Sequence, residues 1–212
     1  MFELKQVSTT YQHHLLFQPI TYTFTPQENI LIQGANGIGK TTLLRSMLGL
    51  HPVAQGTLLF DQKPIQSYER YHIGQMIGYV HQQPSYQLFG MSVIQECVMF
   101  AKWRKQHPSD DVIKEVLERL DLYHVKDQHP QLCSRGEQQR LSLAVALLQQ
   151  PRFILLDEPT TALDDQNVRL MVDIINSHRE IGWIIVSHDK RLDAIPFDQI
   201  ITLNKESLHE TV

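Results

Sequence analysis

At 212 residues, with 42% hydrophobic and 20% charged, the chain carries enough apolar side chain to bury a real core, and its length fits one domain with an inserted lobe. A formal net charge of -4 offers no basic field to a nucleic-acid backbone and argues against nucleic acid as the main partner. Apolar runs such as Phe153-Ile154-Leu155-Leu156 fall far short of the roughly 18 residues a membrane-spanning helix needs. Met1-Phe2-Glu3-Leu4-Lys5 lacks the basic and apolar stretches of a secretory signal, so the expected compartment is the cytoplasm.

The first third reads as strands at Phe2 to Val7, Ile20 to Phe24, Asn29 to Gln33 and Thr57 to Phe60, interrupted by one helix starting near Gly39. In the middle, Val112, Ile113, Val116, Leu117 and Leu120 recur at helical spacing behind the start signal Ser109-Asp110-Asp111. A further helix is expected from about Arg135 to Gln150. Strands at Phe153 to Asp157 and Trp183 to Ser187 then flank a helix from about Asp165 to Arg179, and this alternation predicts an α/β fold with a mainly parallel sheet. Cys97 and Cys133 have no metal-ligand spacing and read as buried thiols, and the histidines show no metal-binding pattern.

Gly34-Ala35-Asn36-Gly37-Ile38-Gly39-Lys40-Thr41 fits G-x-x-x-x-G-K-S/T between an apolar strand and a helix. Gly34, Asn36, Gly37 and Gly39 let the backbone wrap a triphosphate and aim N–H groups and a helix N-terminus at it. Lys40 is expected to reach the β- and γ-phosphates, Thr41 to face Mg²⁺ and Thr42 the α-phosphate, which makes MgATP the expected ligand. Asp157, ending a four-residue apolar run, is placed to hold the Mg²⁺ shell, and Glu158 to act as general base toward an attacking water.

Cys133-Ser134-Arg135-Gly136-Glu137, followed by Gln138-Gln139-Arg140, resembles the signature L-S-G-G-Q/E of ABC-type ATPases, and other motifs of that family follow in order along nearly the whole chain. The resemblance implies that Tyr11 stacks on adenine and that Gln82 is the Q-loop glutamine, serving catalysis and the Mg²⁺ shell. It likewise makes Thr161-Ala162-Leu163-Asp164 the D-loop and His188 the switch histidine. Ser134, Gly136 and Glu137 would contact the nucleotide of a second subunit, although Ser134 and Glu137 equally read as a capping box. Cys133 departs from the usual leucine and Arg135 from the first glycine, and both stand next to that contact.

The family resemblance further implies a P-loop NTPase core with N-terminal antiparallel strands, in which residues 1–83 and 151–212 form the nucleotide-binding core and residues 84–150 a helical signature subdomain. It implies a homo- or heterodimer of ATPase subunits and a separate membrane-spanning permease that holds the chain at the membrane's cytoplasmic face. Pro84 to Met91 is the expected permease contact, through exposed aromatic and aliphatic residues. Gln82-Gln83-Pro84 with Gln87-Leu88-Phe89 is similar to energy-coupling-factor ATPases, which energise vitamin and metal-ion uptake. The rivals are small exporter ATPases, which leave the direction of transport open, and a soluble ABC-type ATPase serving iron–sulphur assembly or another non-transport role.

Overall fold

The computed structural model describes residues 1–12, 14–101, 108–161 and 163–205, apart from the side chains of Tyr11 and Ala101. Its strands are β1 (Phe2–Ser8), β2 (Thr10–Tyr11), β3 (His14–Leu15), β4 (Ile20–Phe24), β5 (Asn29–Gly34), β6 (Gln55–Phe60), β7 (Lys63–Pro64), β8 (Ile77–Val80), β9 (Phe153–Asp157), β10 (Gly182–Val186) and β11 (Gln199–Leu203). The helices are α1 (Lys40–Met47), α2 (Arg70–Met76), α3 (Val93–Ala101), α4 (Asp110–Arg119), α5 (Arg135–Leu148) and α6 (Asp165–Ser177).

Two main sheets differ in pairing direction, and β2 and β3 pair as a separate antiparallel hairpin. Strands β4-β1-β6-β7 form an antiparallel sheet, and β11-β5-β10-β9-β8 form a parallel one. The central parallel strands β5, β9 and β10 are largely apolar because both faces are covered, whereas the edge strand β11 is mostly exposed. Side chains alternate between those faces at every residue. Ile30, Ile32, Phe153, Leu155, Ile184 and Val186 pack with the antiparallel sheet and α1. Leu31, Ile154, Leu156, Trp183 and Ile185 pack with the helices. Phe2, Phe60 and Phe153 join the two sheets, with ring centroids 4.7 Å apart for Phe2–Phe60 and 5.0 Å for Phe2–Phe153.

The helix-start signals are satisfied as the sequence chemistry requires. Ser109 caps α4, Asp164 caps α6, and Ser134 and Glu137 close a reciprocal capping box at α5. Three expectations need correction. Helix α2 lies in the stretch read as strands around a single helix; its seven residues are too short for a periodic signal. Strands β8 and β11 complete both edges of the parallel sheet, and β8, Ile77-Gly78-Tyr79-Val80, is a short stretch with a glycine and no apolar–polar alternation to mark it as a strand. In the expected permease contact, Tyr86, Phe89 and Met91 are exposed but Leu88 is buried in the helix-side core.

That last segment is held from below by Glu96 on α3. The carboxylate is fully buried, and its Oε2 accepts the N–H groups of Phe89 and Gly90. Gly90 sits so close that a Cβ there would meet the Glu96 backbone N at 2.7 Å. Burial pushes the Glu96 carboxyl above its usual range. Glu96→Ala strips both loop N–H groups of their acceptor and is expected to lower unfolding stability by about 2 kcal/mol or more, read by chemical denaturation.

Candidate functional site

Parallel strands deliver their carboxyl ends to one edge of a sheet, where ligands of open α/β folds bind. Val186 is in register with both Ile32 of β5 and Asp157 of β9, and Val80 with Leu156. Residues far apart in sequence therefore emerge side by side: the loop after β5, Asp157 at the end of β9 with Glu158 just beyond it, His188 after β10 and Gln82 after β8.

The loop from Gly34 to Gly39 turns through backbone conformations that side chains resist. Gly39 has φ +104°, and a Cβ there would come within 2.8 Å of Leu16, which follows the β2–β3 hairpin. Gly34 has φ +150°, and a Cβ would meet the Leu203 carbonyl oxygen at 2.8 Å. Ala35, Asn36 and Gly37 form the exposed rim, whereas Ile38 is buried as an anchor.

The loop curls around Lys40, which is 7% exposed. Its Nζ donates to Gly34 O at 2.7 Å and Ala35 O at 3.3 Å and meets His188 Nε2 at 2.7 Å, which together occupy all three ammonium donors. With Lys40 charged, His188 Nε2 is the acceptor and its proton resides on Nδ1. Burial lowers the Lys40 pKa, while Glu158 and Asp157 push it back up.

Asp157 is fully buried. Its Oδ1 accepts from the Thr41 hydroxyl at 3.1 Å and its Oδ2 from the Tyr79 hydroxyl at 3.2 Å. Tyr79 has no place in the sequence motifs; the apolar run Ile77 to Val80 was the available signal. Burial and the Asp157 charge raise the Tyr79 pKa, so the phenol stays a donor. A buried carboxylate held by two hydroxyls and, among the described residues, by no salt bridge is an oxygen donor set that suits Mg²⁺, whose remaining ligands would be phosphate oxygens and water.

Glu158 follows the last residue of β9 at φ +46°, its N–H donating to Val186 O at 2.8 Å. Its Oε1 lies 3.9 Å from His188 Nε2. Burial raises the Glu158 pKa, with His188 and Lys40 opposing and Asp157 adding to the rise. Lys40, Thr41, Asp157, Glu158 and His188 thus form one contact network. Thr42 stands on the first turn of α1, and Gln82 is exposed beyond β8 without a hydrogen bond to Thr41 or Asp157. The Tyr11 side chain and Ala162 lie outside the described residues.

The signature residues stand apart from this network. Ser134 Oγ accepts from Glu137 N at 3.3 Å, and Glu137 Oε2 accepts from Ser134 N at 2.7 Å. The capping hydrogen bonds hold the Glu137 carboxyl below its usual range, against a desolvation cost. Cys133 is buried, and Arg135 is exposed on a cleft of about 430 Å³ shared with Gln83, Pro84 and Ser85.

A sequence profile described as ABC transporter matches residues 17–161, more than half of the chain. A putative ABC transporter ATP-binding protein of Caldanaerobacter subterraneus is 31% identical over 221 residues, covering 100% of this chain and 91% of that protein. The energy-coupling factor transporter ATP-binding protein EcfA3 of Clostridium perfringens is 36% identical over 172 residues, covering 78% of this chain and 60% of that protein. The chain spans only 31% of the length of a putative ABC transporter ATP-binding protein of Methanosarcina mazei, at 34% identity over 84% of this chain. Among solved structures, cbiO1 of Clostridium perfringens, part of the ABC transporter complex cbiONQ, superimposes with a TM-score of 0.78 at 28% identity, covering 96% of this chain and 84% of that one. With the phosphate loop, the buried carboxylate and the sheet-edge histidine in one network, the chain belongs to the ABC transporter ATP-binding family.

Proposed function

We propose that this chain binds and hydrolyses MgATP to drive a membrane transporter. The observation that carries the reading is the network at the sheet edge, in which a cation, a metal-suited carboxylate and a base-suited carboxylate converge on one phosphate loop. Lys40 would exchange its carbonyl partners for β- and γ-phosphate oxygens. Gly34, Asn36, Gly37 and Gly39 would offer backbone N–H groups, Thr42 a hydroxyl toward the α-phosphate, and Tyr11 a ring for the adenine. Thr41, Asp157 and Gln82 would hold Mg²⁺, which when bound neutralises charge between the β- and γ-phosphates. Glu158 would take the proton of the attacking water, and His188 would orient that carboxylate and the γ-phosphate.

Residues 84–150 act in this reading as a helical signature subdomain on the core of 1–83 and 151–212. Helix α5 opens with hydroxyl and N–H groups at an exposed N-terminus, so Ser134, Gly136 and Glu137 would close the nucleotide site of a second, head-to-tail subunit. Ser134 and Glu137 already serve each other as caps, and both roles use the same exposed turn. Tyr86, Phe89 and Met91, at 68%, 70% and 72% exposure, form an apolar surface that suits a permease helix and would hold the chain at the membrane. No helix among the described residues is long and apolar enough to cross a membrane, and in this reading the permease is a separate chain.

A photoreactive residue at Phe89, activated in membranes supplied with ATP, tests the transport reading. The expected adduct is a multi-span membrane protein. An adduct with a soluble scaffold protein instead overturns transport in favour of an assembly ATPase.

A further inference from the structure

Arg191, on the short helix Lys190–Ala194 that follows His188, makes a larger set of contacts than a surface cation needs. Its Nε lies 3.0 Å from both carboxylate oxygens of Asp189, and Nη2 reaches Asp189 Oδ2 at 2.6 Å. The other face of the fork crosses to a different part of the chain. There Nη1 donates to Leu163 O at 3.0 Å and Asp165 Oδ1 at 3.0 Å, and Nη2 to Thr160 O at 3.4 Å. One guanidinium therefore fastens the residues just after His188 to the turn that begins just after Glu158. Only a planar, multi-donor group can make these bonds together; a lysine ammonium has three donors on a flexible stem.

Exposure decides what the latch is for. The side chains of Arg191 and Asp165 are 38% and 74% exposed, and ion pairs so open to water add little to stability. Geometry is a different matter. Glu158 and His188 reach the site from separate strands, and beyond their strand ends each is carried by a loop. Glu158 is further held at a positive φ that the surroundings must maintain. The Asp189 carboxyl, held down to about 2 by its hydrogen bonds to Arg191, is ionised at neutral pH, so the latch there carries charge on both sides.

We infer that Arg191 is a positioning residue for hydrolysis, which keeps the Glu158 turn and the His188 loop in fixed relation by bridging Asp189 to Thr160, Leu163 and Asp165. The inference rests on the proposed ATP hydrolysis. The Arg191 guanidinium bonds to Asp189, Thr160, Leu163 and Asp165 and to none of Lys40, Thr41, Asp157, Glu158 or His188, so its removal is expected to lower turnover and leave ATP binding alone.

Steady-state hydrolysis by the purified chain, with nucleotide affinity and melting temperature measured alongside, tests this. Arg191→Ala is expected to lower kcat by about 10- to 100-fold, the scale of loss when reacting groups are held about 1 Å out of place, with affinity for ATP unchanged. Arg191→Lys should recover only part of the loss. Asp165→Asn, which removes one charged leg of the bridge, should lower kcat less than Arg191→Ala does and add nothing in the Arg191→Ala background, where that leg is already lost. If Arg191→Ala lowers the melting temperature while kcat per folded molecule holds, the latch is structural and the inference fails. If Asp165→Asn and Arg191→Ala lower kcat independently, the bridge does not carry the effect. A wild-type chain that binds ATP without hydrolysing it overturns the ATPase reading itself, a result separate from either.

Discussion

Glu158→Gln is expected to cut hydrolysis by ~10² or more while ATP stays bound, because the substitution removes a proton acceptor without changing side-chain size. The position is well defined. Its N–H is tied to Val186 O at 2.8 Å, and its carboxylate sits 3.9 Å from His188 and within the field of Lys40. An amide there keeps the packing and cannot take a proton from water. With hydrolysis blocked, the closed state of two subunits should accumulate, so ATP should convert the variant from monomer to dimer in size-exclusion chromatography.

The environment of Glu158 adds a pH signature. Burial raises its pKa, so the carboxylate takes up a proton at higher pH than an ordinary glutamate. A base must be ionised to work, so turnover should rise with pH through an acid limb lying above the usual carboxylate range. That limb should vanish in Glu158→Gln. Undiminished turnover in the variant, or an acid limb unchanged by it, would remove Glu158 from the role of base.

Lys40→Ala is expected to weaken ATP binding by about 30-fold or more, since truncating one partner of a buried charge pair commonly costs about 2 kcal/mol or above. The residue is almost wholly enclosed, and burial alone works against its charge. Such a cation is retained where an anion is to be met. Its loss also leaves Gly34 O, Ala35 O and His188 Nε2 without their donor, so some loosening of the loop accompanies the loss of charge. Titration calorimetry with MgATP reads the affinity, and a melting curve separates the two effects. Unchanged affinity in a folded variant would sink the assignment of this loop to phosphate.

Much of the site was legible from local chemistry. Gly34 to Thr41 declares its purpose because the glycines, the lysine and the hydroxyl must occur at that spacing for a backbone to wrap a triphosphate. The apolar run before Asp157 likewise announced a buried strand ending in a carboxylate, and Ser134 with Glu137 announced a helix start. Elements without a local signature were harder to read. Strand β8, Ile77-Gly78-Tyr79-Val80, has no apolar–polar alternation, and α2 is under two full turns from end to end, so neither carries a period that distinguishes it from loop. Tyr79 was missed with its strand, and Arg191 because nothing in Asp189-Lys190-Arg191 distinguishes a surface charge from a bridge.

The sequence by itself determined the chemistry available to this protein: a phosphate loop, two carboxylates at a strand end, a capped signature helix and the order in which they occur. Local spacing is enough for that, since each motif acts through neighbouring backbone and side-chain groups. Only the tertiary structure decided which of these groups meet. Parallel register set Ile32, Val186 and Asp157 abreast, and that brought His188 within 2.7 Å of Lys40 across 148 residues of chain. It also supplied Asp157 with a Tyr79 donor from the sheet's edge strand and tied Arg191 across to Thr160 and Asp165. Sheet pairing is a contact between distant segments, so the groups it juxtaposes leave no periodic trace in the chain.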